Sequence, residues 1–163
     1  MGVRIADIDP TGDLAEELLR AAAAEVRPLY GHFEPGADQP PTNKTLGTRE
    51  RYVAAFVDDV PIGCGALRER DEATAEIRRM YVRPEYRRRS LGRTLLSHLI
   101  AEARRLGYRR IILETGDKQP SATALYEASG FKRIQAFGVH VNDPTSRCYE
   151  LQISERPDAS SAD

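Results

Sequence analysis

Between residues 74 and 113 the chain reads as an alternating strand, a turn crowded with arginines, a helix and a short apolar strand. A strand, helix and strand in that order make a crossover, which lays two strands side by side in parallel. Ile77 alternates with Arg78 before the strand runs out in Met80, Tyr81 and Val82, and Pro84 terminates it. From Ser90 onward Leu91, Leu95, Leu96, Leu99, Ile100 and Ala103 recur at helical spacing, and Gly107 stands where a C-terminal cap belongs. Residues 109–113 supply the returning strand. Any fold for this chain must accommodate that parallel pair, with an arginine-rich turn at the junction.

The flanking segments are simpler. Residues 3–8 alternate as a half-buried strand, followed by an alanine-rich helix capped by Thr11 or Asp13 and ending near Ala24. Seven glycines and prolines between Pro28 and Gly47 predict a mobile loop. Residues 52–57 and 61–67 form a hairpin around Asp58, Asp59 and Val60, with Gly63 and Gly65 marking a bulge, and residues 74–82 add a third antiparallel strand. A second helix over residues 121–128 stops at Gly130, and strands over 131–137 and 147–153 close a single domain spanning residues 1–153. Residues 154–163 read as a disordered tail.

Composition narrows the function. A chain of 163 residues with 40% hydrophobic and 30% charged side chains buries one core. No run approaches the roughly 18 apolar residues of a membrane span, and Asp7, Asp9 and Asp13 contradict a signal peptide, so the expectation is a cytoplasmic protein without membrane contact. Cys64 and Cys148 lie far apart with no CxxC partner, which predicts buried thiols and no metal site. The net charge of −1 and the scarcity of stacking aromatics beyond Tyr81 and Tyr86 argue against nucleic acid. Positive charge is concentrated locally, and that points to one anionic ligand.

The segment Arg87-Arg88-Arg89-Ser90-Leu91-Gly92-Arg93 follows a strand and opens a helix. A helix start offers unpaired N–H groups and the positive end of the dipole, and guanidinium groups add bidentate bonds to phosphate oxygens. Taken alone, such a run reads equally well as a solvated basic helix start. Its position between strand and helix favours phosphate.

At this junction the chain resembles the GCN5-related N-acetyltransferases, whose signature of Gln or Arg, two residues, Gly, one residue, then Gly or Ala is met by Arg87, Ser90 and Gly92. The strand from Ala75 to Pro84 is similar to the family's fourth strand, and Leu125-Tyr126 followed by Gly130-Phe131 to its second cofactor motif. The resemblance covers roughly residues 50–153. It implies an α/β (α+β) fold: a single domain with a mixed, mostly antiparallel sheet of six to seven strands flanked by about four helices. It also implies acetyl-CoA as donor, with Met80, Tyr81 and Val82 along the pantetheine arm and Arg87, Arg88, Arg89, Ser90, Leu91, Gly92 and Arg93 around the pyrophosphate. Ser90 replaces the usual glycine, and Gln119 replaces an asparagine that bonds the arm. Ser is a favoured helix-start residue, so the first change is expected to be tolerated.

By the same resemblance Glu76 is the general base and Tyr126 the general acid that protonates the leaving thiolate. The plain alternatives are a Glu76 paired with Arg78 along one strand face and a Tyr126 that only packs. The variable loops offer Tyr30, Phe33, Glu34 and His140 to the acceptor. A small-molecule amine is the first expectation, a protein N-terminus or lysine the second, and a non-catalytic acyl-CoA sensor the reading from another class. Family members often pair, so a homodimer is expected.

Overall fold

The computed structural model describes residues 2–30 and 41–153. Seven strands form one sheet: β1 (Val3–Asp7), β2 (Arg51–Val57), β3 (Val60–Glu69), β4 (Thr74–Val82), β5 (Arg110–Gly116), β6 (Lys132–Ile134) and β7 (Ser146–Gln152). Their order is β1-β2-β3-β4-β5-β7-β6. Every pairing is antiparallel except β4 with β5, the pair joined by the crossover. The last strand inserts between β5 and β6, so β6 is a three-residue edge strand.

Among the described residues there are three α-helices, α1 (Asp13–Tyr30), α2 (Leu91–Arg105) and α3 (Pro120–Ala128), where about four were expected. Two short 3-10 turns, Pro84–Tyr86 and Gly138–His140, complete the set. α1 runs past Ala24 and through Pro28, although proline removes an N–H and crowds the preceding turn. Contacts at its far end explain the extension. Glu25 is clamped by Arg87, and the Tyr30 hydroxyl accepts a bond from Lys118 N at 3.0 Å. Tertiary contact here overrides local propensity.

Two cores sandwich the sheet. On one face Leu91, Leu95, Leu96, Leu99 and Ala103 of α2 pack with Ile77, Ile111, Leu113, Tyr126, Phe131 and Tyr149. Burial of each such large apolar side chain stabilises the fold by about 1.5–3 kcal/mol. On the opposite face Ala15 and Leu18 of α1 lie on Tyr52, Ala54, Cys64 and Ala66. Both cysteines are free and buried. The β2–β3 turn is two residues long, since Val57 pairs with Val60, and Asp58 and Asp59 both have positive φ, as the primed hairpin turns require.

One bulge falls beside Gly63, as expected: Ala55↔Gly63 is followed by Phe56↔Pro61, so one step on β2 opposes two on β3 and the extra residue is Ile62. The other is on the strand facing Gly65 rather than at that glycine. From Ala66↔Arg78 to Cys64↔Tyr81, two steps on β3 oppose three on β4, so the extra residue is on β4, where Arg79 has φ 62°. The glycines are the partners of that distortion. A Cβ on Gly65 would come within 2.8 Å of both Met80 Sδ and Leu99 Cδ1, and one on Gly63 within 2.4 Å of Tyr81 O.

Candidate active site

β4 and β5 pair through only three residues, Thr74↔Arg110, Ala75↔Ile111 and Glu76↔Ile112. Beyond Glu76 the two strands separate, although β4 continues to Val82 and β5 to Gly116. The bulge at Arg79 drives the divergence, because an extra residue bends its strand and increases the local twist. A V-shaped opening results. Its β4 edge carries backbone groups around Met80 and Val82 that β5 does not satisfy, the kind of edge an extended ligand joins as an added strand. The carbonyl of Val82 accepts a bond from Arg87 Nε at 2.9 Å.

The arginine turn lies where β4 hands over to α2. Arg88 and Ser90 are both left-handed, each with φ 63°. Alternating left- and right-handed residues turn successive N–H groups to one side, making a concave anion-binding nest. The first bonded amide is Thr94 N, donating to Ser90 O at 3.0 Å, which leaves the earlier N–H groups at the positive end of α2. Ser90 is at the N-cap, but its hydroxyl makes no cap bond. A glycine fits this position because of its backbone conformation, so the expectation that serine is welcome as a cap is corrected. Arg88, Arg89 and Arg93 are exposed around the nest, and Leu91 and Gly92 form the first turn of α2. Gly92 sits so close to α3 that a Cβ would lie 3.3 Å from Leu125 Cδ2.

Arg87 is committed elsewhere. Its guanidinium holds both carboxylate oxygens of Glu25, at 2.5 and 2.7 Å, and its backbone N–H donates to Pro84 O. The side chain expected on the pyrophosphate instead fastens α1 to the end of β4.

At the far end of the opening, the Tyr30 ring rests on Gly116, where an added Cβ would fall 1.7 Å from the hydroxyl and 3.1 Å from Gln119 Nε2. Only glycine permits that approach. Tyr30 and Gln119 therefore meet beside the end of β5. Tyr126 is buried between Phe131 and Tyr149, with ring centroids 5.9 and 6.5 Å away. Burial, reinforced by the Glu114 charge, raises its pKa above the usual phenol value and keeps the hydroxyl protonated.

Glu76 is 5% exposed and faces the α1 side of the sheet. Its neighbour is Arg70, Nη1 to Oε1 3.6 Å, not Arg78, which is exposed. Arg70 also lies 5.3 Å from the Phe137 ring centroid, and Phe137 meets His140 edge-on. His140 Nδ1 is 3.7 Å from Glu114, whose other contact is Ser146 Oγ at 2.6 Å. Two polar groups, Glu76 with Arg70 and His140 with Glu114 and Ser146, are thus bridged by the Phe137 ring near the vertex of the V. Phe33 and Glu34, and the tail 154–163, lie outside the described residues.

A cavity of about 230 Å³ lies beside the bulge, lined by Leu18, Leu19, Ala22 and Val26 of α1 with Tyr52, Cys64, Arg79 and Met80. A larger one of about 530 Å³ opens at the β2–β3 turn between Asp58, Arg83, Glu85 and Arg89. Neither cavity is lined by Glu76 or Tyr126; the larger one borders Arg89 of the nest, and the smaller one borders Met80 and the bulge on the α1 side of β4. Among the described residues no three His, Cys, Asp or Glu side chains gather as a metal site, and no helix is long and apolar enough to cross a membrane.

A sequence profile of the acetyltransferase (GNAT) family matches residues 14–131. The chain belongs to that family. It is 35% identical over 105 residues to the Bacillus subtilis uncharacterized N-acetyltransferase YsnE, covering 63% of this chain and 70% of the relative. A Klebsiella pneumoniae protein described as an acyl-CoA N-acyltransferase superposes with a TM-score of 0.78 at 30% identity, over 93% of this chain and 98% of that one. An Elizabethkingia anophelis GNAT acetyltransferase with acetyl-CoA bound shares the fold, with a TM-score of 0.67 at 19% identity over 93% and 98% of the two chains. The GNAT chain described here is accordingly an acyltransferase.

Two groups of this GNAT site were not singled out from the sequence. Glu114 follows Ile112 by two residues and shares its sheet face, a period-two signal hidden because the strand was expected to end at Leu113. Arg79 carries no sequence signal, since nothing in a run of two arginines marks one of them as left-handed.

Proposed function

We propose that this chain transfers an acetyl group from acetyl-CoA to a primary amine of a small molecule by direct attack in a ternary complex. The observation that carries the reading is the V between β4 and β5 ending at the nest of Arg88 to Gly92. An extended arm fits along the β4 edge at Met80, Tyr81 and Val82, and a pyrophosphate fits the N–H groups of the nest with Arg88, Arg89 and Arg93 around it. The Gln119 amide, which lies beside Gly116, bonds the arm in this reading.

Acetyl-CoA supplies an activated acyl group: the acceptor nitrogen forms a C–N bond at its carbonyl carbon, the C–S bond breaks, and an amide and free CoA result. Glu76 takes the proton lost by the amine, directly or through one water. Tyr126, kept neutral by burial, gives its proton to the departing sulfur and is reprotonated from solvent. Holding amine and thioester together contributes much of the acceleration, up to about 7–11 kcal/mol in favourable cases.

The deciding experiment is titration calorimetry of acetyl-CoA against wild type and Gly92→Glu, followed by a panel of amines assayed by CoA-thiol release. Binding by wild type, loss of binding in the variant with its fold intact by circular dichroism, and turnover on at least one amine are expected. Normal affinity in Gly92→Glu refutes the nest. Tight binding with no turnover on any amine identifies a sensor instead.

A further inference from the structure

We infer that the acceptor amine carries a carboxylate, held by Arg79, and an apolar body housed between α1 and β4, which describes a hydrophobic amino acid or a close relative. The inference rests on the transferase reading for the identity of the reaction and on the cavity beside the bulge for the chemistry of the acceptor.

Arg78 shares the α1 face with Glu76 by alternation, and the bulge that follows turns Arg79 to the same face. Arg78 is exposed, whereas Arg79 is half-buried in the cavity wall. Arg79 donates from Nε to Asn43 Oδ1 at 3.0 Å and from Nη2 to Thr42 O at 3.2 Å, both neutral acceptors. Among the described residues no carboxylate pairs with it, while nearby Arg68 is matched by Glu50 at 3.1 Å. A guanidinium has five N–H donors, so several remain in fixed fork geometry to receive a planar carboxylate. Withdrawing a cation from water without an opposite charge is costly. Burial, with Arg78 and Arg68 as like charges, lowers the Arg79 pKa from its usual value, a strain that an anion relieves.

The rest of the wall is apolar. Leu18, Leu19, Ala22, Ala23 and Val26 present hydrocarbon from α1. The polar atoms that β2 and β3 present are already engaged, since Tyr52 Oη accepts from Asn43 and the Cys64 thiol donates to Arg79 O at 3.2 Å. At about 30 Å³ per water the cavity has room for an aliphatic or single-ring side chain. Arg79 follows Glu76 by three residues, on the order of 10 Å of strand. A carboxylate on Arg79 therefore leaves an amine one or two carbons away over the β4 edge, between the anchor and the base.

The test compares matched acceptors at saturating acetyl-CoA: leucine against 3-methylbutylamine, and phenylalanine against 2-phenylethylamine. Wild type is expected to show kcat/KM at least tenfold higher for the amino acid in at least one pair. Arg79→Gln should bring that ratio to within about threefold of unity through KM, and Arg79→Lys, which keeps the charge but loses the fork, should give an intermediate ratio. A wild-type ratio near one, or favouring the decarboxylated amine, overturns the inference while leaving the transferase reading intact, and it needs no variant to fold. A cofactor-free arm separates the two ideas in the other direction. Leucine or phenylalanine, but not the matched amine, should raise the melting temperature of the wild-type protein. Equal shifts, or none, count against the carboxylate site even if acetyl-CoA fails to bind.

Discussion

Arg87, at the head of the arginine turn, grips Glu25 of α1 through two parallel hydrogen bonds of 2.5 and 2.7 Å. The same guanidinium bonds the carbonyl of Val82. One side chain thereby links α1 to the end of β4. Both partners are about 40% exposed, so the pair contributes on the order of 1 kcal/mol or less.

Arg87→Ala is expected to lower the melting temperature by a few degrees. Because Arg87 is engaged with α1, the acceptor KM should rise more than the acetyl-CoA dissociation constant. Calorimetry and steady-state kinetics on one preparation separate the two; a loss of acetyl-CoA affinity exceeding the KM change would return Arg87 to the pyrophosphate.

Ser90→Gly should stabilise the protein. A left-handed residue with a Cβ is strained by about 1–2 kcal/mol, and the greater freedom of glycine in the unfolded chain offsets roughly half of that. Because the hydroxyl makes no cap bond, little is lost with it. A net gain of about 0.5–1 kcal/mol in urea unfolding, with acetyl-CoA affinity unchanged or tighter, is expected. A destabilised or weaker-binding variant would give the hydroxyl a role of its own.

Tyr126→Phe preserves the ring packing against Phe131 and Tyr149 while removing the proton. Turnover should fall by about 10²-fold or more, the range of general acid catalysis, with acetyl-CoA affinity within about twofold of wild type. Since burial raises the Tyr126 pKa, the acid stays protonated and its alkaline limb in kcat lies above pH 10, the ordinary phenol value. An unchanged rate, or a limb from this group below that value, removes the assignment.

Stability itself should decline at alkaline pH. Burial pushes the Cys64 thiol from 9.0 up to about 12 and the Tyr52 phenol from 10.0 up to about 12. Raised native values mean that the unfolded chain releases these protons first. The stabilisation is whole below about pH 9 and is lost as pH rises toward 12. Urea unfolding between pH 8 and 12 reads this directly, and a flat profile contradicts it. For the same reason Cys64 should resist alkylation at pH 8 until the protein is unfolded.

The order of elements was legible from local pattern because each periodicity records which face of its own segment is buried. The leucines from Leu91 to Leu99 announced α2, the run from Thr74 to Val82 announced β4, and Gly107 and Gly130 marked the helix ends. The arginine turn was recognisable for the same reason: charge and helix start are adjacent in sequence.

Whatever depended on segments far apart in the chain was left to the tertiary structure. β7 enters between β5 and β6, α1 continues through Pro28 to reach Gly116, and Arg87 finds Glu25 sixty-two residues away. The bulge on β4 belongs with these. It exists because β3 and β4 keep register on either side of a mismatch, with Gly63 and Gly65 leaving space for Tyr81 and Met80. A period of two, counted along one strand, keeps no trace of an extra residue measured against another, and that single residue turns Arg79 toward the cavity and opens β4 from β5.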